Sequence, residues 1–209
     1  MGPSPSADQR LSAGESELLL DIADDAILEG LEGTPPSPLV LERLPVALRE
    51  PSAAFVTLTV GGELNGCIGS LEAEEPLAEA VARHARSAAF HDPRLPALRR
   101  SDYARLRIEV SVLSALEPIP SASRSEVLDH LCPGTDGLLI SDGVRRAVFL
   151  PSVWEQLPDP ADFLGHLQQK ARMAPTRWPE NMRAWRFGAH KYSRPADRRP
   201  APLTPKEPK

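Results

Sequence analysis

Cys67 is the side chain best suited to chemistry, because a thiolate is both a strong nucleophile and a soft metal ligand. It is one of only two cysteines in the chain. Gly66 and Gly69 lie close to it, and glycine within a strand usually marks a bulge, a bend or a close approach by another backbone or a ligand. Two interpretations stay open: a reactive thiol in a cleft, or a small buried side chain on a sheet. The frequent burial of free cysteine favours the second.

A nucleophilic cysteine needs a general base within hydrogen-bond reach. The chain has five histidines, and no local pattern assigns one of them to Cys67. Glu109 lies in the middle of a predicted strand, where a buried carboxylate could act as an acid or a base. On a solvated face Glu109 would be an ordinary surface residue, and we favour that interpretation. His84 lies on the apolar side of a predicted helix, so we expect a hydrogen-bonded core histidine and not a metal ligand.

Asp92 and Arg94 flank Pro93 directly after that helix. Such a pair can form a charged, hydrogen-bonded corner that faces a cleft and binds a ligand or a partner. In the alternative, which we favour, Asp92 accepts hydrogen bonds from backbone amides and Arg94 supports the loop. We predict that Cys67 lies at the edge of a polar cleft with at least one of Asp92, Arg94 and Glu109.

A β-hairpin is predicted to position Cys67. Residues 55–60 are rich in β-branched side chains, and Gly61-Gly62 follows them, which is typical of a two-residue primed turn. In the simplest register Val56 pairs with Cys67, so the thiol would lie on the same face of the hairpin as Val56.

Helices and further hairpins surround this unit in the predicted fold. Helices are expected at residues 12–29, 74–90, 125–131 and 159–173, and strands at residues 107–114, 137–140, 146–150 and 183–192. Hairpins mixed with helices indicate an α+β fold, with an antiparallel sheet packed against helices and possibly a large and a small lobe. We expect the domain to span residues 11–192, between disordered Pro/Ser-rich and Pro-rich tails at residues 1–10 and 193–209.

Composition limits the classes of function. The net charge of −5 argues against a general nucleic-acid binder, and two cysteines do not make a disulfide framework. Because the chain lacks a signal peptide or a long apolar run, we expect a cytoplasmic protein without a membrane partner. No CxxC, HExxH, P-loop or Rossmann glycine motif is present, so the sequence indicates no metal and no cofactor.

Four segments resemble the AMMECR domain family, the A component of the AmmeMemoRadiSam system. Leu64–Ser70 is similar to the family signature Leu-Arg-Gly-Cys-Ile-Gly, and the resemblance continues in order through residues 88–96, 108–114 and 149–151. It covers roughly residues 11–192. The resemblance implies that the protein works with a Memo-like protein and a radical-SAM protein.

The resemblance and the residues together give a candidate site. The residues expected to bind a ligand or a partner are Asn65, Gly66, Gly69, Asp92 and Arg94. Asn65 stands where the family signature has arginine, so it can hydrogen-bond but carries no charge to hold an anion. We favour a ligand- or partner-binding component; the alternative is a cysteine-dependent enzyme in which Cys67 and Glu109 are the catalytic residues.

Overall fold

A computed structural model describes residues 10–174 and 177–196 of the chain. Residues 1–9 and 197–209, which make up most of the two predicted tails, lie outside the described residues. The chain divides into two compact units. The N-terminal unit contains residues 10–112 and 191–196, and the central unit contains residues 113–174 and 177–190.

The described residues form five α-helices and eight strands, in the α+β arrangement that the sequence predicted. The helices are α1 (Ala13–Glu32), α2 (Val46–Arg49), α3 (Leu77–Phe90), α4 (Arg124–Asp129) and α5 (Pro160–Lys170). The strands are β1 (Ala54–Val60), β2 (Glu63–Ser70), β3 (Leu106–Leu113), β4 (Glu117–Ile119), β5 (Gly137–Ser141), β6 (Arg146–Phe149), β7 (Arg183–Phe187) and β8 (Ala189–Pro195). Among the described residues, no helix is both long enough and apolar enough to span a bilayer.

Helix α1 begins and ends where its local sequence dictates. The Ser12 hydroxyl accepts a hydrogen bond from the Glu15 amide, while the Glu15 carboxylate accepts one from the Ser12 amide. This capping box satisfies amides that the first turn of a helix leaves unpaired. At the other end Gly33 adopts a left-handed conformation with φ of 71°, which glycine adopts without steric cost. The helix therefore extends three residues beyond the predicted end at Glu29.

The sheet of the N-terminal unit has the strand order β2-β1-β3-β8. Alternate side chains of its two central strands are buried; they include Val56, Leu58, Ile108 and Val110. These side chains join α1 and α3 in one hydrophobic core. Because successive side chains of a strand point to opposite faces, the intervening residues lie on the other face of the sheet. We call the surface that carries Thr57, Cys67, Glu109 and Lys191 the outer face.

A bulge in the β1–β2 hairpin decides which face the thiol occupies. The turn at Gly61-Gly62 forms as predicted, with φ of 62° and 93°. The pairing then shifts between Leu58 and Thr59, and Asn65 is the extra residue in β2. Cys67 consequently pairs with Thr57, so the predicted pairing of Cys67 with Val56 is wrong by one residue. A one-residue shift moves a side chain to the opposite face, which places Cys67 on the outer face and not in the core.

The central unit has its own antiparallel sheet, in the order β4-β7-β5-β6, and its own core. Trp154 stacks on Phe163 of α5 with ring centroids 3.8 Å apart. Helix α5 starts as the sequence predicted, because the Asp159 carboxylate caps the amides of Ala161 and Asp162. The predicted hairpin at Asp142-Gly143 connects β5 and β6.

Candidate functional site

The glycines of the signature are packing positions. A Cβ atom at Gly66 would overlap the carbonyl oxygen of Ala88 in α3, and one at Gly69 would overlap the Phe55 ring. The close approach that the sequence predicted at Gly66 is therefore made by the helix backbone. A side chain at Gly66 would separate α3 from β2 and displace the strand that carries Cys67.

The thiol of Cys67 is half-buried on the outer face. Its Sγ accepts one hydrogen bond, from the Thr57 hydroxyl at 3.5 Å. In the described part of the chain, no histidine or carboxylate is hydrogen-bonded to Sγ. The Cys67 backbone is held at both polar atoms: its amide donates to Asp92 Oδ2 at 3.0 Å, and its carbonyl accepts from Arg94 Nη2 at 2.8 Å. The backbone of β2 is thus fixed at Cys67, whereas the Cys67 thiol has no general base hydrogen-bonded to it among the described residues.

The Asp92 side chain is buried, with only 1% of it exposed. Each of its two carboxylate oxygens accepts two hydrogen bonds. Its Oδ1 accepts the amide and Nε of Arg94, at 3.1 and 2.9 Å. Its Oδ2 accepts the Cys67 amide and Arg94 Nη2, the latter at 2.7 Å. The hydrogen bonds from the Arg94 guanidinium, with those from the two amides, hold the pKa of Asp92 well below its usual range despite burial. Asp92 is an ionised acceptor at neutral pH.

Arg94 presents its guanidinium to solvent, and 61% of its side chain is exposed. The Asp92 carboxylate is the main cause that raises the pKa of Arg94, and the neighbouring Cys67 side chain contributes as well. These hydrogen bonds match the bracing role considered for this pair from sequence, while its role in binding a ligand or a partner stays a prediction. The corner braces the loop onto β2, and it also places a cation beside the thiol.

Glu109 lies on the same outer face but at a distance from the thiol. It pairs with Thr57 across β3 and β1, and Thr57 pairs with Cys67 on its other side. Two strand spacings separate Glu109 from Cys67, which is about 10 Å. The Glu109 side chain is 32% exposed, and its Oε1 lies 3.7 Å from Lys191 Nζ of β8. The structure therefore brings Glu109 to the face of Cys67 but not into contact with it.

Asn65 ties the bulge to the loop that follows α3. Its Nδ2 donates to the Pro96 carbonyl at 3.4 Å. Its Oδ1 is shielded from solvent and has no hydrogen-bond partner among the described residues. Asn65 therefore lies next to the Asp92–Arg94 corner, where it bonds to the same loop.

His84 is buried in α3, as expected for a core residue, but the predicted hydrogen bond is wrong. Neither ring nitrogen has a partner among the described residues. Burial, assisted by the charge of Arg83, lowers the pKa of His84 to about 4, against the opposing effect of Glu75. The ring is therefore neutral in the folded protein at neutral pH.

Sequence reasoning missed Thr57 and Lys191. The alternation of β1 could have placed Thr57 on a solvated face, and only the bulge at Asn65 brings Cys67 opposite it. The pairing of Lys191 with Glu109 has no signal in local sequence, since the two residues lie far apart in the chain. Across the described ranges, no group of three or more histidine, cysteine or acidic side chains is arranged to hold a metal ion.

The site residues fall within a known sequence family. The sequence model of AMMECR1 matches residues 20–192, which includes the whole Cys67 hairpin and the Asp92–Arg94 corner. The chain belongs to the AMMECR1 family. A family member from Thermofilum pendens is 36% identical over 196 residues, which cover 86% of this chain and 90% of that protein. One from Methanothermobacter thermautotrophicus is 36% identical over 182 residues, covering 86% and 94%.

A solved AMMECR1-family structure supports the same fold. The uncharacterized protein PH0010 from Pyrococcus horikoshii superposes with a TM-score of 0.79 at 30% sequence identity. The match covers 88% of this chain and 93% of that one. The names of these AMMECR1 relatives state no activity, so the chemistry of the site has to be argued from its geometry.

Proposed function

We propose that this AMMECR1-family protein is a binding component that uses the outer face of its N-terminal sheet to hold a ligand or a partner. The observation that carries the proposal is that the Asp92 carboxylate already accepts four hydrogen bonds. The carboxylate bound to the Cys67 strand has all of its acceptor sites occupied and a strongly lowered pKa, so it cannot take a proton from the thiol at neutral pH.

The other groups on the outer face also favour binding over catalysis. The Thr57 hydroxyl is not a base, and Glu109 lies two strands away in an ion pair with Lys191. General-base catalysis needs a hydrogen bond of about 3 Å or one bridging water. Half-exposed polar and charged side chains on a rigid sheet do suit recognition, because the scaffold holds them in place.

The family resemblance supplies the partners to test first, which are a Memo-like protein and a radical-SAM protein, and the cytoplasmic location belongs to the same proposal. Lys191 and Glu109 offer a surface ion pair that a docked partner would cover. Reversing the charge of an interfacial residue places like charges together, which costs several kcal/mol of binding free energy.

Binding to the purified Memo-like and radical-SAM proteins of the same organism tests this proposal. Biolayer interferometry would compare the wild type with Lys191→Glu on the outer face and Arg49→Glu on α2, an exposed residue on the helical side of the unit. We expect Lys191→Glu to weaken binding by at least about tenfold and Arg49→Glu to leave it unchanged. Absence of binding to both proteins, or equal effects of the two variants, would contradict the proposal.

One observation favours the second candidate, a cysteine-dependent enzyme: the half-exposed Sγ lies beside the Arg94 cation. Iodoacetamide labelling of the native Cys132→Ser variant tests it, since Cys67 is then the only thiol. If Cys67 reacts only after unfolding, the enzyme loses its nucleophile and this candidate is rejected.

A further inference from the structure

The Arg94 guanidinium has an unequal distribution of hydrogen bonds. A guanidinium carries five N–H donors: one on Nε and two on each terminal nitrogen. Nε donates to Asp92, and the two hydrogens of Nη2 serve Asp92 and the Cys67 carbonyl. No described residue accepts a hydrogen bond from Nη1. Three donors therefore hold the group in place and two are available to a ligand.

The available edge is held in a fixed orientation. The buried Asp92 carboxylate accepts hydrogen bonds from both Nε and Nη2 of Arg94, and this bidentate contact fixes the plane of the guanidinium. The third bond, to the Cys67 carbonyl, ties the group to β2. A ligand that binds Nη1 would not have to order this side chain, and preorganisation of this kind increases affinity.

The Asp92 carboxylate does not compete for the available edge. Its four acceptor positions are used on the inner side of the corner, where the side chain is shielded from solvent. A ligand arriving from solvent therefore meets the donor side of the pair. Charged donors of this geometry match the oxygens of carboxylates and phosphates.

We propose that the Arg94–Cys67 corner, formed by Arg94 Nη1 and the adjacent thiol of Cys67, is a subsite for an oxyanion, either a carboxylate or a phosphate group. This inference rests on the proposed binding function and names the chemical class of the group that the outer face recognises. The oxyanion accepts hydrogen bonds from Nη1, and the Cys67 side chain forms the adjoining wall of the subsite.

Charge-selective labelling of Cys67 tests the subsite without any partner protein. In the Cys132→Ser background, Cys67 would be modified with the anionic reagent sulfonatoethyl methanethiosulfonate and with its cationic trimethylammonium analogue. Each rate is divided by the rate for N-acetylcysteine. We expect Arg94→Gln to lower the anionic-to-cationic ratio about thirtyfold, because a unit charge near 4 Å in a solvent-like medium changes each rate about fivefold and acts on the two reagents in opposite directions. Arg99→Gln, a matched exposed arginine five residues away, should leave the ratio unchanged.

Protection by small anions distinguishes the two ligand chemistries. Inorganic phosphate and acetate would each be titrated against labelling, with sodium chloride at equal ionic strength as the control. Protection by phosphate alone indicates a phosphate site, and protection by acetate indicates a carboxylate site; either supports the subsite. An unchanged ratio in Arg94→Gln together with no protection by either anion would overturn it.

Two safeguards keep the result interpretable. Circular dichroism establishes that each variant is folded, and Arg94→Lys, which keeps the charge but not the fork, should retain most of the charge selectivity. The outcome is also separable from that of the partner assay. If partners bind but the ratio does not respond to Arg94→Gln and neither anion protects Cys67, the outer face is a binding surface and the oxyanion subsite is rejected.

Discussion

Two aspartate–arginine corners, one in each unit, use the same kinds of hydrogen-bond donor but differ in where the donors come from and in what the arginine has left to donate. Asp142 accepts the amides of Val144 and Arg145 on Oδ1, and Nε and Nη2 of Arg145 on Oδ2. Asp92 also accepts two amides and two nitrogens of one arginine, but each of its oxygens takes one amide and one guanidinium nitrogen. In the central unit, however, Arg145 Nη1 donates to the Arg172 carbonyl at 2.9 Å.

The two corners differ in which segments they connect and in the donors that their arginines keep. The Asp142 side chain accepts hydrogen bonds within its own hairpin turn, and both terminal nitrogens of Arg145 donate hydrogen bonds. Asp92 instead reaches the Cys67 amide, 25 residues away, and Arg94 keeps Nη1 free of described partners. The same local chemistry therefore serves stability alone in one corner, and in the other also leaves donors exposed beside a thiol.

The largest difference should appear when each aspartate is truncated. Asp92→Ala removes four hydrogen bonds and leaves the Cys67 amide without its acceptor, so we expect the free energy of unfolding to fall by about 3 kcal/mol. Asp142→Ala should cost less, because its four bonds all lie within one turn. Urea unfolding measures both. Equal losses would show that Asp92 does not connect the loop to β2.

A substitution at Gly66 tests the packing of β2 against α3, which places Cys67 beside the Asp92–Arg94 corner. Gly66→Val would force the side chain against the α3 backbone, and overpacking of this kind costs about 2–3 kcal/mol. Gly14→Ala is the matched control, because a Cβ atom at Gly14 meets nothing within 4 Å. Thermal unfolding of the two variants should differ clearly; a Gly66→Val protein with wild-type stability would mean that α3 can move away from β2 at little cost.

The dependence of unfolding free energy on pH distinguishes the contribution of the Asp92–Arg94 corner from that of His84 in the core. The folded pKa of His84 is about 4, and an unfolded histidine titrates near 6.5. As pH falls from 6.5 to 4, the unfolded chain gains a proton that the folded chain does not, so stability decreases by up to about 3 kcal/mol. His84→Leu should flatten this region of the profile. An unchanged slope in the variant would show that another group causes the loss.

The Asp92 corner should respond only at lower pH. Its pKa is lowered in the folded state, so its contribution is complete above the unfolded aspartate pKa of about 4 and is lost as pH falls below it. Asp92→Asn should therefore change the profile below about pH 4 and leave the His84 region intact. Chemical denaturation at a series of pH values measures both regions.

Patterns among neighbouring residues in the sequence predict much of the fold but not the arrangement of the site. The capping box at Ser12 and the turn at Gly61-Gly62 depend on neighbouring residues, so their sequences predict them. The bulge at Asn65 depends on how β2 packs on α3, and missing it placed Cys67 on the wrong face. Periodicity identified His84 as a core residue but gave no information about its hydrogen bonds, which depend on tertiary neighbours.

The site itself was predicted as a set of residues and not as an arrangement. At least one of Asp92, Arg94 and Glu109 is expected from sequence beside Cys67, and the structure brings the first two into contact with its backbone. Glu109 reaches only the same face. The number of hydrogen bonds that Arg94 donates, which separates the two corners, follows from three-dimensional contacts that no spacing in the sequence encodes.

An NMR titration of the two arginines tests the central difference most directly. The Nε–H groups of Arg94 and Arg145 are both hydrogen-bonded to carboxylates, so their signals can be followed in protein labelled with ¹⁵N-arginine and assigned with Arg94→Lys and Arg145→Lys variants. Phosphate or acetate would be added at constant ionic strength. We predict that one of these anions shifts the Arg94 signal saturably while the Arg145 signal stays in place. Equal shifts of the two signals, or no shift of Arg94 with either anion, would contradict the account.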